Sequence, residues 1–266
     1  MDDRRAPFWR FLARDNEDPV KILGVAFLVA LISAIVVSSA AILLEPRQTA
    51  HLEAERAARM AAMLDRLPGM ADILAETGAD SLRTYLVDLA TGQIVPDLDP
   101  DDYDAAAAAA DPATAVAIPA DLDLTGLRQR APYAPVHILE RNGRVELVVL
   151  PVSGTGYASR IEALLALQSD LGTVAALTIT SQGETAGLGA RIENPEWQAL
   201  WPGREIADDS GQIVIAVVRG QASSPYEVDG ISGATRTGNG VTNMLRYWLG
   251  EHGFGPFLDR LREQGV

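Results

Sequence analysis

From Ile22 to Leu44 the chain carries no charged residue, and only Gly24, Ser33, Ser38 and Ser39 interrupt its apolar side chains. At 1.5 Å per residue a helix of that length spans roughly 34 Å, enough for a bilayer core of about 30 Å. The pattern therefore predicts a transmembrane helix over 22–44. The run exceeds a signal-peptide core, and Arg47 and Glu53 follow it without a compact cleavage region, so it reads as a retained anchor. Gln48 to Leu67, rich in Ala, Glu, Arg, Met and Leu, predicts a juxtamembrane helix stopped by Pro68-Gly69. Between Ser81 and Val95, Leu82, Tyr85, Val87 and Leu89 alternate in places, and Thr91-Gly92 predicts a short hairpin returning through Ile94-Val95.

Polar punctuation sets the remaining elements. Pro96 to Pro112 places Asp97, Asp99, Asp101, Asp102 and Asp104 ahead of six alanines, an acidic loop running into a short helix. It lacks the Gly turn and closing Glu of an EF-hand, so no metal is placed there. Val136 to Glu140 and Val145 to Pro151 flank Asn142-Gly143, a hairpin-turn signal. Ser153-Gly154-Thr155-Gly156 reads as a tight connection. Ile161 to Leu167 and Val174 to Thr180 form a second hairpin around Ser169 to Gly172, and Ile213 to Arg219 a further strand. Val241, Met244, Leu245, Trp248 and Leu249 fall at i, i+3, i+4, i+7 and i+8, one face of a helix starting near Gly238-Asn239 and ended by Gly250 and Gly253. The fold class is α+β: one N-terminal transmembrane helix, then a mixed domain.

Charge orients this arrangement. Arg4, Arg5, Arg10, Arg14 and Lys21 precede the span, against Arg47, Arg56 and Arg59 soon after it, which places the N-terminus in the cytoplasm and the large domain outside it. A net charge of −14 argues against nucleic acid, whose phosphates require clustered Lys and Arg. There is no cysteine, hence no disulfide and no cysteine-ligated cluster. His51, His137 and His252 show no spacing that suggests metal ligation.

The segment from Ser232 to Gly238 (Ser-Gly-Ala-Thr-Arg-Thr-Gly) is a loop of small residues entering a helix. Glycines let a backbone approach a phosphate, and exposed N–H groups at a helix start favour an anion. No lysine stands where a Walker A loop needs one. A helix capped by Thr237 or Asn239 accounts for the same residues. On physical grounds both readings stay open, as does the choice between Thr235 and Thr237.

Asp229-Gly230-Ile231-Ser232-Gly233-Ala234-Thr235 resembles the flavinylation motif of the covalent FMN-binding domain family. That family occurs in the C subunit of the Na+-translocating NADH:quinone reductase and the G subunit of the related Rnf complex. Gly240 to Leu245, Leu249 to Leu258 and Val87 to Gly92 are more similar to the former. Glu184-Thr185-Ala186-Gly187-Leu188-Gly189, followed by Asn194 to Trp197, is similar to a family segment near the flavin.

The resemblance implies FMN linked through its phosphate to Thr235, installed by a flavin transferase that uses FAD. It implies a cofactor site of Asp229, Ser232, Gly233, Ala234 and Thr235 with Tyr157, Glu184, Thr185, Gly187 and Leu188, Ser232 supporting the loop. Arg236 faces either the phosphate or water; Tyr157, Trp197 and Trp201 stand as ring-stacking candidates. It further implies an electron-transfer subunit of a bacterial inner-membrane complex, with NADH as ultimate donor, ubiquinone as acceptor and coupled Na+ export, its partners being the other subunits. The corresponding domains are a cytoplasmic segment 1–21, the membrane helix 22–44, a juxtamembrane and first periplasmic part 45–135, and an FMN-binding part 136–266. The alternatives are the Rnf-type subunit and a non-enzymatic anchored sensor or adhesion domain. Ala158-Ser159 and Ala186 depart from the family pattern, so the surroundings of the ring are expected to differ.

Overall fold

The computed structural model describes residues 15, 18, 19, 21–31, 33, 34, 82–100, 102–141 and 144–263. The chain divides into two compact units, Met1–Ala58 and Arg59–Val266. In the first, the backbone is helical over 21–31 and at 33 and 34. Its apolar side chains point outward: Leu23 is 71% and Phe27 69% exposed. No helix among the described residues is long and apolar enough to cross a membrane. Residues 35–44 of the anticipated span, and the anticipated juxtamembrane helix with its Pro68-Gly69 stop, lie outside the described residues.

The second unit contains the strands β1 (Leu82–Asp88), β2 (Val116–Ala117), β3 (Gln129–Arg130), β4 (Tyr133–Arg141), β5 (Arg144–Thr155), β6 (Arg160–Gln168) and β7 (Val174–Ser181). Five of them form one antiparallel sheet in the order β1-β4-β5-β6-β7. Both anticipated hairpins are present in it, β4–β5 and β6–β7. The short strands β2 and β3 make a separate pair. The Thr91-Gly92 turn is present but short: on the edge of β1 away from β4, Asp88 N–H donates to the Gln93 carbonyl at 2.9 Å and Val95 N–H to that of Leu86 at 2.8 Å, with one bridge, Val87 to Ile94. The six alanines form helix α1 (Ala105–Ala110), whose first N–H groups, those of Ala106 and Ala107, donate to Asp104 at 2.9 and 3.0 Å. That cap is why an acidic loop can turn straight into a helix.

The carboxyl-terminal part supplies α2 (Pro195–Gln198), β8 (Ala216–Val217), β9 (Glu227–Val228), α3 (Thr235–Leu249) and α4 (Gly255–Glu263). Val241, Met244, Leu245 and Trp248 of α3 join Val148, Leu150, Val152, Ile161 and Leu165 of the sheet in one core, with Phe257, Leu258 and Leu261 of α4. Burial of this apolar stripe, rather than helix propensity, fixes α3 on the sheet.

Three anticipated elements are corrected. Ser153 to Thr155 are strand, paired with β6 as far as Thr155 and Arg160, and the turn starts at Gly156. The strand over Ile213 to Arg219 shrinks to β8, because the N–H groups of Val214 and Ile215 both point at the Ile206 carbonyl. The carbonyls of the same two residues accept from the Arg246 guanidinium. Helix α3 begins at Thr235, three residues before Gly238.

Candidate functional site

Thr235 is the first residue of α3, and its side chain is exposed. The residue before it, Ala234, has φ −123° and ψ 36°, and no side chain caps the helix. The orphan N–H groups of the first turn are thus left for an outside acceptor. The cap reading therefore fails: Thr237 and Asn239 lie inside the helix, and the Thr237 hydroxyl is buried and donated elsewhere.

The approach to Thr235 is fixed by its neighbours. Asp229 accepts from the Ala222 N–H at 2.7 Å through its carboxylate and from Trp197 Nε1 at 2.9 Å through its carbonyl. The Gly230 N–H donates to the Gly220 carbonyl at 2.9 Å, and Ala234 N–H to Ile231 at 3.0 Å. Gly233 has φ +79°, a left-handed conformation that a side chain would strain, and a Cβ there would come within 3.1 Å of Leu188.

Two clefts meet at residues 233–235. The larger, about 710 Å³, is lined by Val217 to Gly220, Gly230 to Thr235, Gly238 and Asn239. The smaller, about 340 Å³, is bounded by Tyr157, Glu184, Thr185, Leu188, Gly189 and residues 233–237. Both volumes suit a small organic cofactor. Around the smaller one, Tyr157 and Leu188 are exposed apolar surfaces at 59% and 45%, and Arg236 lies 5.2 Å over the Tyr157 ring. A phosphoryl group on Thr235 would meet the helix N-terminus, with Arg219 on one wall and Arg236 on the other, and a planar ring would find apolar side chains next to it. The residues present fit FMN.

Glu184, anticipated close to the flavin, borders the smaller cleft, and its hydrogen bonds go to the protein itself. Its buried carboxylate accepts from the N–H groups of Tyr157 (3.2 Å), Ala158 (2.9 Å) and Ser159 (3.0 Å) and from the hydroxyls of Thr237 (2.6 Å) and Ser159 (3.3 Å). Burial pushes this carboxyl up, but the donors of Thr237, Ala158, Ser159 and Tyr157 together hold it below the usual range.

Of the anticipated site residues, Thr235, Ser232, Gly233, Ala234, Tyr157, Glu184, Thr185 and Leu188 line the clefts. Asp229 stands back as a support for the loop, and Gly187, at φ +75°, lines neither cleft. Trp201 is fully buried and Trp197 nearly so, their rings edge to face at 5.5 Å, so both are core and only Tyr157 remains at the surface. Arg236 faces Tyr157. Arg219 and Asn239 line the larger cleft without having been anticipated there; no local pattern distinguishes them, since the fold alone sets the end of β8 beside the start of α3.

The geometry fits an FMN-binding domain, and a family model described as FMN-binding domain matches residues 156–250, from the turn at Gly156 to the C-cap of α3. Over nearly its full length the chain is similar to the C subunit of the Na(+)-translocating NADH-quinone reductase. With that of Pseudomonas aeruginosa it shares 37% identity over 257 residues, 94% of this chain and 98% of the relative. With that of Vibrio parahaemolyticus it shares 36% over 261 residues, 96% and 100%. The crystal structure of NqrC from Shewanella oneidensis superposes with a TM-score of 0.66 at 31% identity, covering 73% of this chain and 88% of that one. The corresponding protein from Parabacteroides distasonis gives 0.57 at 26%, covering 80% and 96%. The chain belongs to the family of C subunits of the Na+-translocating NADH-quinone reductase.

Proposed function

We propose that this chain is the FMN-carrying electron-transfer subunit of a Na+-translocating NADH:ubiquinone reductase, with FMN held as a phosphoester on Thr235. The observation that carries the reading is the exposed Thr235 at the uncapped start of α3, where two clefts meet. Family membership supports the complex, the other subunits as partners, and NADH oxidation coupled to Na+ export.

In the attachment step the Thr235 oxygen bonds to the FMN phosphorus of FAD, the pyrophosphate bond breaks, AMP leaves, and the hydroxyl proton is released. A neutral threonine hydroxyl is a weak nucleophile, so the base belongs to a flavin transferase. Thr237 is no competitor, being buried and committed to Glu184. Bound FMN supplies the electron acceptance and donation. The chain itself holds the phosphate at the α3 N-terminus and offers Tyr157 and Leu188 as apolar neighbours for the ring.

The domain divisions and topology belong to the same proposal: a cytoplasmic segment 1–21, an anchor 22–44, and a periplasmic part whose FMN-binding portion is 136–266. The outward-facing Leu23 and Phe27 support an anchor, since exposed apolar side chains on a helix call for an apolar surrounding. Co-expression with a flavin transferase tests the attachment. The wild-type chain is expected to fluoresce in a denaturing gel, and Thr235→Ala to be dark; a dark wild type or a labelled Thr235→Ala refutes it.

A further inference from the structure

The joint around Glu184 borders the same cleft as Thr235, the proposed attachment residue. The carboxylate draws together the turn after β5, the segment 184–189 and the first turn of α3. A carboxylate has about four acceptor sites, and five donors converge on this one, the Ser159 hydroxyl at 3.3 Å being the fifth, leaving none for a cofactor. Glycines make room for this convergence. A Cβ on Gly156 would sit 2.5 Å from Glu184 Oε1, and one on Gly189 2.5 Å from Thr237 Oγ1. On Gly240 it would lie 2.7 Å from the Thr155 carbonyl, where α3 presses against the end of β5. The same turn carries Tyr157, whose ring holds Arg236, the residue next to Thr235.

We propose that the Glu184–Thr237 pair is the positioning element of the flavin site: it fixes the Tyr157 turn against the first turn of α3, and so sets both the presentation of Thr235 and the wall of the cleft. This rests on Thr235 being the attachment residue. Glu184 and Thr237 are positioning residues, because neither has a free group aimed at the cofactor.

The test compares full-length wild type, Thr237→Ser, Thr237→Val and Glu184→Gln. The initial rate of labelling by purified flavin transferase and FAD is measured, together with the visible spectrum and midpoint potential of the attached flavin, with the label mapped by peptide mass spectrometry. Thr237→Val, which keeps the shape and loses the donor, is expected to label about tenfold more slowly and to shift the spectrum, as is Glu184→Gln. Thr237→Ser, which keeps the hydroxyl, is expected to stay within about twofold of wild type. Wild-type rate and spectrum in Thr237→Val and Glu184→Gln, with the label on Thr235, overturn this inference alone. So does a Thr237→Ser variant as impaired as Thr237→Val. If Thr237→Val does not fold, Glu184→Gln decides. An unlabelled wild type overturns the Thr235 assignment and this inference with it.

Discussion

Thr235 and Thr237 stand two residues apart on one helix, yet only the first presents its hydroxyl to solvent. The difference is made by Glu184, which takes the Thr237 hydroxyl at 2.6 Å from 53 residues away in the chain. Because the folded carboxyl is held below its ordinary value, its contribution to stability is present above the unfolded carboxylate pKa of about 4.3 and is lost as pH falls through the folded value. The unfolding free energy of wild type minus that of Glu184→Gln is therefore expected to be constant above about pH 6 and to shrink below the unfolded pKa. Denaturant titrations at a series of pH values check this; a difference that grows on acidification contradicts it. The family resemblance was legible in the sequence because its motif is seven consecutive residues. The hydrogen bonding of Glu184 was not, since its partners are the backbone of residues 157–159, the Ser159 hydroxyl and a threonine that reads as a helix cap.

At the scale of elements, periodicity located what buries apolar side chains and missed what does not. The stripe from Val241 to Leu249 gave the body of α3, but its first turn, Thr235 to Gly238, carries no apolar marker and is set by the loop before it. The strand anticipated over Ile213 to Arg219 was lost to Arg246, whose guanidinium takes two carbonyls that a ladder would have used. Trp248 joins α3 to the sheet through Nε1, donated to the Ser153 carbonyl at 2.7 Å, beyond the last β4–β5 pair at His137 and Val149. Replacing Trp248 by Phe is expected to destabilise the domain by about 1–3 kcal/mol, with no change in the denaturant slope. Chemical denaturation of the variant measures it, and an unchanged midpoint would refute the role of that bond.

At the scale of the whole molecule, we propose an apolar N-terminal anchor and a domain whose exposed Thr235 takes the flavin. The full chain is expected to sediment with membranes and to resist alkaline carbonate, whereas the chain lacking residues 1–44 is expected in the soluble fraction with its labelling competence kept. Release of the full chain by carbonate would rule the anchor out. The arginines around the span motivate the proposed orientation. The meeting of two clefts at Thr235 was not legible in the sequence, because their walls come from turns near residues 157, 188, 219 and 232 that only the fold assembles. Attachment of the flavin is tested most directly by the intact mass of the mature protein, followed by peptide mapping. A single addition of FMN less one water is expected, carried by the peptide that contains Thr235; an unmodified chain, or a flavin on any other residue, would contradict the assignment.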